Sequence, residues 1–336
     1  MDFRETRGFM FRVRYHNCRI AVEYFHALTD GTGGKVFLLT LVAQYLELRY
    51  KVVIPRGGEI LNVRELPRQE ELEDGFERFA RKATRSRRES TAYRIPGKPE
   101  HGSLFIITGM IPLEKILPIA KGYGATLTEF LIAALICAIE EVQELYEPVQ
   151  HRRKPVKISV PVNLRHYYKT RTLRNFASYI NLGIEPKYGQ YSFEEVLKKV
   201  HAIMAMELDE KLMNAKFTTN VYTAKNPLIR GLPLFLKNRA MKIGFQLNGD
   251  RLISTYLSNL GLQNLPEPMA EYVQRVEFFL GPLSTIRTAC GAISYGENLY
   301  LNFARTIQSS EVERRFFRRL VKMGIPVKIE SNQRGE

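Results

Sequence analysis

The stretch Phe25-His26-Ala27-Leu28-Thr29-Asp30-Gly31-Thr32-Gly33-Gly34 constrains this chain more than any other. Before it, Ile20-Ala21-Val22-Glu23-Tyr24-Phe25 alternates in the manner of a strand. After it, residues 36–46 are long and apolar enough for a buried helix. A histidine therefore stands where a strand ends, and an aspartate follows four residues later. Gly31, Gly33 and Gly34 are expected to free the backbone for a sharp turn. Such a turn can fix an imidazole at the mouth of a cavity. It then has the rigid support and the access to a substrate proton that a general base needs. The same residues also support a plainer account, with His26 a satisfied core histidine and Asp30 the cap of the next helix.

A length of 336 residues suggests about two domains or lobes. Pro96-Gly97-Lys98-Pro99 is a strong loop signal and places the boundary near residue 100. Residues 1–100 then form a lobe carrying the histidine motif, and residues 101–336 form the other. Hydrophobic residues at 45% can supply a sizeable core. No apolar run is long enough to cross a bilayer, and Asp2, Arg4, Glu5 and Arg7 interrupt any secretory signal. Cys18, Cys137 and Cys290 are odd in number and widely spaced. They argue against a disulfide framework, show no metal-ligand spacing, and fit a reducing cytoplasm.

The net charge of +15 favours anionic partners. Nucleic acid would call for a basic stripe with aromatic platforms or a recognisable module, and neither is visible. The densest basic runs, 81–88 and 151–154, read as solvated loops or helix ends. No phosphate-cradling loop follows a strand, which argues against nucleotide hydrolysis and a dinucleotide fold. A phosphate-rich cofactor stays open.

Helix and strand signals mix without strict alternation. Residues 9–15 and 19–25 read as a hairpin, and 103–111 as a strand. Pro112 opens a helix that Gly122-Tyr123-Gly124 stops. Thr126-Leu127-Thr128-Glu129 matches a capping box before a helix over 127–144 that is apolar nearly all round. Strands are predicted over 155–162, 177–184, 252–259, 274–280, 284–294 and 298–304, and helices over 191–213 and 310–322. Residues 227–246 are apolar and basic together, which suits a core helix or a membrane-surface helix. The pattern predicts a layered α/β fold with a mixed sheet.

Four stretches in this order resemble the chloramphenicol-acetyltransferase-like superfamily of CoA-dependent acyltransferases, and most of all its alcohol acetyltransferase branch. They are His26-Ala27-Leu28-Thr29-Asp30-Gly31, the capped helix from Thr126, Val160-Pro161-Val162-Asn163-Leu164-Arg165 with Arg174-Asn175-Phe176, and Ser258-Asn259-Leu260-Gly261 with Leu265-Pro266. Two departures stand out. Phe25 replaces a histidine that many members carry before the signature one. Members also have a substantial segment before the signature, so the chain looks N-terminally truncated and its first lobe incomplete. An unpaired sheet edge and exposed apolar surface are then expected around residues 9–25.

The resemblance implies a two-lobed sandwich with mixed sheets, flanking helices and a tunnel between the lobes. It implies transfer of an acyl group, acetyl foremost, from acyl-CoA as co-substrate to a small-molecule alcohol or amine. No permanently bound cofactor, no metal and no nucleic acid are expected. His26 is the implied general base. Asp30 is the implied structural partner of an arginine, for which Arg165 is chosen by its place after Asn163. Gly31 and Asn163 support the site, and Ser258 or Asn259 donates to the oxyanion or binds substrate. The implied location is the cytoplasm, with peripheral membrane contact through 227–246 left open. Also open are a condensation-type relative acting on carrier-bound acyl groups, a non-catalytic relative, and an inactive truncated homologue.

Overall fold

A computed structural model of the chain describes residues 6–81, 89–100, 102–227, 231, 233–239, 250–283 and 285–333. Its centre is the run that is apolar on every side. Thr126 Oγ1 accepts from the Glu129 N–H at 3.3 Å, and Glu129 Oε2 accepts from the Thr126 N–H at 2.8 Å. This capping box satisfies donors that the first helical turn leaves free. The helix then runs Leu127–Tyr146, and residues 130–139 are all buried.

The elements in chain order are β1 (Phe11–His16), β2 (Arg19–Tyr24), α1 (Gly31–Tyr50), the short α2 (Gln69–Leu72) and α3 (Gly75–Phe79), β3 (Phe105–Pro112), α4 (Leu113–Gly122) and α5 (Leu127–Tyr146). There follow β4 (Val156–Asn163), β5 (Ala177–Ile184), α6 (Phe193–Glu207), α7 (Glu210–Lys225), β6 (Thr255–Gln263), β7 (Thr288–Tyr295), β8 (Asn298–Arg305), α8 (Glu311–Lys322) and β9 (Lys328–Ser331). Seven strands form one sheet in the order β5-β4-β6-β7-β8-β3-β9. The β4/β6 and β6/β7 pairs are parallel and the others antiparallel, so the sheet is mixed as expected. The largest core cluster joins this sheet to α4, α5, α6 and α8.

β1 and β2 pair only with each other among the described residues. Asn17 turns the hairpin at φ +51°, a conformation asparagine tolerates. The hairpin docks on α1 through Phe11 and Phe37, whose rings lie 5.3 Å apart, and leaves Phe9, Val13 and Tyr15 exposed. α1 is half-buried rather than buried. Leu39, Ala43 and Leu46 form a small core with Ile54, Ile60 and Met269, while Phe37, Tyr45, Leu48 and Tyr50 are exposed.

Several expectations need correction. Residues 274–280 alternate like a strand but join no ladder. They lie on a face of the sheet, where Val276 packs with Ile293 and Tyr300, and the Phe278 carbonyl accepts from Asn302 Nδ2 at 3.1 Å. Alternation reports one buried side and cannot tell a sheet member from a strap across it. The strand predicted over 284–294 begins only at Thr288. The helix predicted over 191–213 is two helices, because Asp209 accepts from the Leu212 N–H at 3.0 Å and starts α7 afresh. The exposed edge strand β9 carried no apolar alternation to betray it. In the basic run 151–154, Arg153 is buried against Glu144 at 2.7 Å and not solvated. Of segment 227–246, residues 228–230, 232 and 240–246 lie outside the described residues, and 234–239 are helical with Leu234 and Phe235 exposed. Residues 82–88 of the other basic run also lie outside them. No single helix among the described residues is long and apolar enough to cross a membrane.

Candidate active site

β2 ends at Tyr24, and the chain turns at once. The Phe25 N–H still donates to the Met10 carbonyl at 2.8 Å, and the Leu28 N–H closes back on the Phe25 carbonyl at 2.9 Å. His26 sits at the tip of this turn and is exposed, so it is not the core histidine of the plainer account. The capping half of that account does hold. Asp30 Oδ1 accepts from the N–H groups of Thr32 at 3.1 Å and Gly33 at 3.0 Å, and so starts α1.

The other carboxylate oxygen does something different. Asp30 Oδ2 accepts from Arg165 Nη1 at 2.7 Å and from the Phe176 N–H at 2.8 Å. Asp30 is 3% exposed, so the charge is buried but fully hydrogen-bonded, the condition under which a buried ion pair holds. Arg165 comes from the short turn Leu164–His166 that follows β4. Its Nη1 also donates to Asn163 Oδ1 at 3.1 Å, its Nε to the Thr172 carbonyl at 2.8 Å and its Nη2 to the Arg174 carbonyl at 2.7 Å. One guanidinium thus gathers the loop between β4 and β5 and ties it to the start of α1. Asn163 adds a weak contact from its Nδ2 to Thr32 Oγ1 at 3.4 Å.

The glycines serve close approach rather than a turn. Gly31, Gly33 and Gly34 all belong to α1, and none has a positive φ. A Cβ on Gly33 would lie 2.2 Å from the Leu173 carbonyl oxygen and from Thr29 Oγ1. A Cβ on Gly34 would enter the Tyr24 ring at 2.2 Å. That ring is held by its hydroxyl on the Asp30 carbonyl at 3.2 Å. Burial, with the Asp30 charge nearby, pushes the Tyr24 phenol up to about 12.

On its other side the motif meets β6. A Cβ on Gly31 would lie 3.0 Å from Leu260 Cδ2 and 3.7 Å from the Phe278 ring. Here the β6/β7 register slips between Asn259 and Leu262, and Gly261 takes φ +76°. Asn259 shapes this bulge, accepting from the Gly261 N–H at 2.9 Å and donating to Thr128 Oγ1 at 3.1 Å. Ser258 is buried on β6 just before it. The motif at 26–31 therefore lies between the 163–176 loop and the 258–261 bulge, although about 130 residues of chain separate Asp30 from Arg165. Two surface grooves, of about 590 Å³ beside α8 and about 330 Å³ at the start of β1, do not touch His26.

Sequence reasoning assigned no role to Asn175. Its Nδ2 lies 3.1 Å from His26 Nδ1 and 3.1 Å from the His26 carbonyl. Thr29 was likewise overlooked, and its Oγ1 donates to the Leu173 carbonyl at 2.6 Å. The partners lie over 140 residues away, so no local spacing could have found them.

Comparison with known proteins finds no matching family model. The chain is 25% identical over 297 residues to the uncharacterized protein Rv2305 of Mycobacterium tuberculosis, covering 85% of this chain and 66% of that one. A protein of another strain, MT2362, matches to the same extent. Among solved structures, the first condensation domain of the calcium-dependent antibiotic synthetase, in complex with a substrate analogue, matches at TM-score 0.52 and 15% identity, over 90% of this chain and 66% of that one. The TRI3 trichothecene 15-O-acetyltransferase of Fusarium sporotrichioides matches at TM-score 0.52 and 12% identity, over 90% and 64%. The chain thus has the chloramphenicol-acetyltransferase-like fold that condensation domains and this acetyltransferase share, and it spans about two thirds of their length.

Proposed function

We propose that this chain transfers an acyl group, acetyl foremost, from a CoA thioester to a small-molecule alcohol, with His26 as general base. The observation that carries the reading is the placement of an exposed imidazole on a turn braced by the buried Asp30–Arg165 pair. In this proposal donor and acceptor meet between two lobes, with residues 1–100 in the first and 101–336 in the second.

His26 takes the proton of the acceptor hydroxyl as its oxygen attacks the thioester carbonyl. The proton then passes to the departing CoA sulfur. No acyl-enzyme forms, so no nucleophilic serine or cysteine is required. Cys137 and Cys290 suit this, since burial pushes the Cys137 thiol up to about 12 and the Cys290 thiol higher still. Ser258, or the second amide hydrogen of Asn259, donates to the oxyanion of the tetrahedral intermediate. Asp30, Gly31, Asn163 and Arg165 act at a distance by fixing the turn. The positive net charge attracts the phosphates of CoA.

The test is thiol release from acetyl-CoA with a panel of alcohols and amines. His26→Ala should lower turnover by about 10²–10⁴ while the circular dichroism spectrum stays unchanged. Near-parental turnover in that variant removes His26 from the chemistry. The equal match to a condensation domain favours a second reading, in which the acyl donor is carrier-bound. Transfer from an acylated carrier domain but not from acetyl-CoA selects that reading.

A further inference from the structure

The groove beside α8 has a chemistry that acyl transfer at His26 does not use. It holds about 590 Å³, the size of a small-molecule site, and runs between α8, β3 and β9. Its walls are apolar: Ile107 of β3, Phe317 and Val321 of α8, and Val327 and Ile329 from the segment that becomes β9. Val321 and Ile329 are exposed there. Phe317 is fixed by close packing, since a Cβ on Gly109 would lie 2.3 Å from its ring. The end of the groove at the start of α8 is polar. Ser310 holds the N-cap position, yet its side chain makes no capping bond. Glu313 is buried, with Oε1 3.5 Å from Arg305 Nη1 and Oε2 without a hydrogen-bond partner among the described residues. A buried oxygen left in this way calls for a polar partner. Burial pushes this carboxyl up, against the pull of Arg305, so it keeps a donor hydrogen to higher pH than an exposed glutamate does. Arg314, Arg318 and Lys322 follow at four-residue spacing along one rim. Arg314 pairs with Glu311 at 2.5 Å, whereas Arg318 and Lys322 form no ion pair among the described residues. Arg315 and Arg319 turn away to Glu141 of α5. Like charges at this spacing repel one another, and an anion in the groove relieves that repulsion.

We infer that this groove binds a single-chain anionic amphiphile of the fatty-acid class, with its carboxylate at Ser310, Glu313, Arg314 and Arg318 and its alkyl chain along Phe317, Val321, Val327 and Ile329. From Ser310 to Val321 the groove is roughly 16 Å long at 1.5 Å per helical residue, which suits an extended alkyl chain. Lys322 stands at the far end and adds only its field. A membrane surface fits less well, because Val312, Phe316 and Leu320 of α8 are already buried in the main core. A folded partner protein would need a larger face than this groove offers. The groove does not touch His26, so binding here does not depend on acyl transfer.

Isothermal titration of the full chain with laurate, kept below its micelle concentration, provides the test. One saturable site per chain is expected. Dodecyltrimethylammonium, with the same chain and the opposite charge, should bind about tenfold more weakly or worse, and acetate should not bind detectably. Arg318 and Ile329 are exposed, so their variants should fold, which circular dichroism checks. Arg318→Glu and Ile329→Asp should each weaken laurate by about tenfold or more. Lys322→Glu should weaken it less than Arg318→Glu does. Laurate binding that survives Arg318→Glu or Ile329→Asp unchanged overturns the inference, and so does equal binding of the cationic amphiphile. A greater loss in Lys322→Glu than in Arg318→Glu overturns the placement of the carboxylate. Co-sedimentation with phosphatidylglycerol vesicles, without saturable laurate binding, would overturn the fatty-acid site in favour of a membrane surface.

Discussion

Replacing Asp30 by alanine should cost stability as well as rate, and the size follows from its four hydrogen bonds. Two of them cap α1, and a lost aspartate cap costs about 1 kcal/mol. The third leaves the Phe176 N–H unsatisfied in a buried position. The fourth leaves Arg165, whose side chain is 12% exposed, held by Asn163 and two carbonyls but with no opposing charge. Breaking a buried pair from one side costs roughly 3–5 kcal/mol in all. Against a typical stability of about 5–15 kcal/mol this is a large share. A melting temperature about 10 °C lower is expected. Urea unfolding followed by circular dichroism would measure it in Asp30→Ala, Arg165→Met and the double variant. Because removing both partners leaves no stranded charge, the double variant should lose clearly less than the sum, with a coupling of about 2 kcal/mol. A single Asp30→Ala loss below about 1 kcal/mol, together with additive losses, would refute the reasoning.

Gly33→Ala tests close approach rather than turning. A Cβ 2.2 Å from the Leu173 oxygen and Thr29 Oγ1 has to push the 163–176 loop away, so a loss of about 3 kcal/mol or failure to fold is expected, and near-parental urea stability would count against it. Glu140 gives a pH test. Burial first, and then the Glu144 charge, push its carboxyl up from 4.5 to about 7, and Oε1 has no hydrogen-bond partner. The folded state therefore holds this proton more tightly than the unfolded chain. Its contribution is least unfavourable below pH 4.5 and becomes a penalty as pH rises through about 7. Glu140→Gln should stabilise by roughly 2–3 kcal/mol at pH 8 and hardly at all near pH 4.5. A gain that does not grow with pH between those values would show that the carboxyl titrates normally.

What the sequence determined by itself is what nearest neighbours along the chain decide. The capping box at Thr126 and Glu129, the apolar helix behind it, the hairpin before the histidine and the strands on either side of Asn163 all follow from short-range spacing, and the structure has each of them. The pairing of Asp30 with Arg165 was also anticipated, but through a resemblance and not through spacing, since they stand 135 positions apart. Periodicity misled at residues 274–280, because a strap lying on a sheet and a strand within it bury every second side chain alike. It was silent on β9, a strand exposed along its whole length. The glycines were read as turn-makers, yet what demands them is the Leu173 carbonyl and the Tyr24 ring arriving from elsewhere in the fold. Only the tertiary structure could bring Asn175 to His26 or set Leu260 against Gly31. Those contacts arise from how the loop after β4 and the bulge in β6 pack around one helix start, and packing between distant segments leaves no local trace in the order of residues.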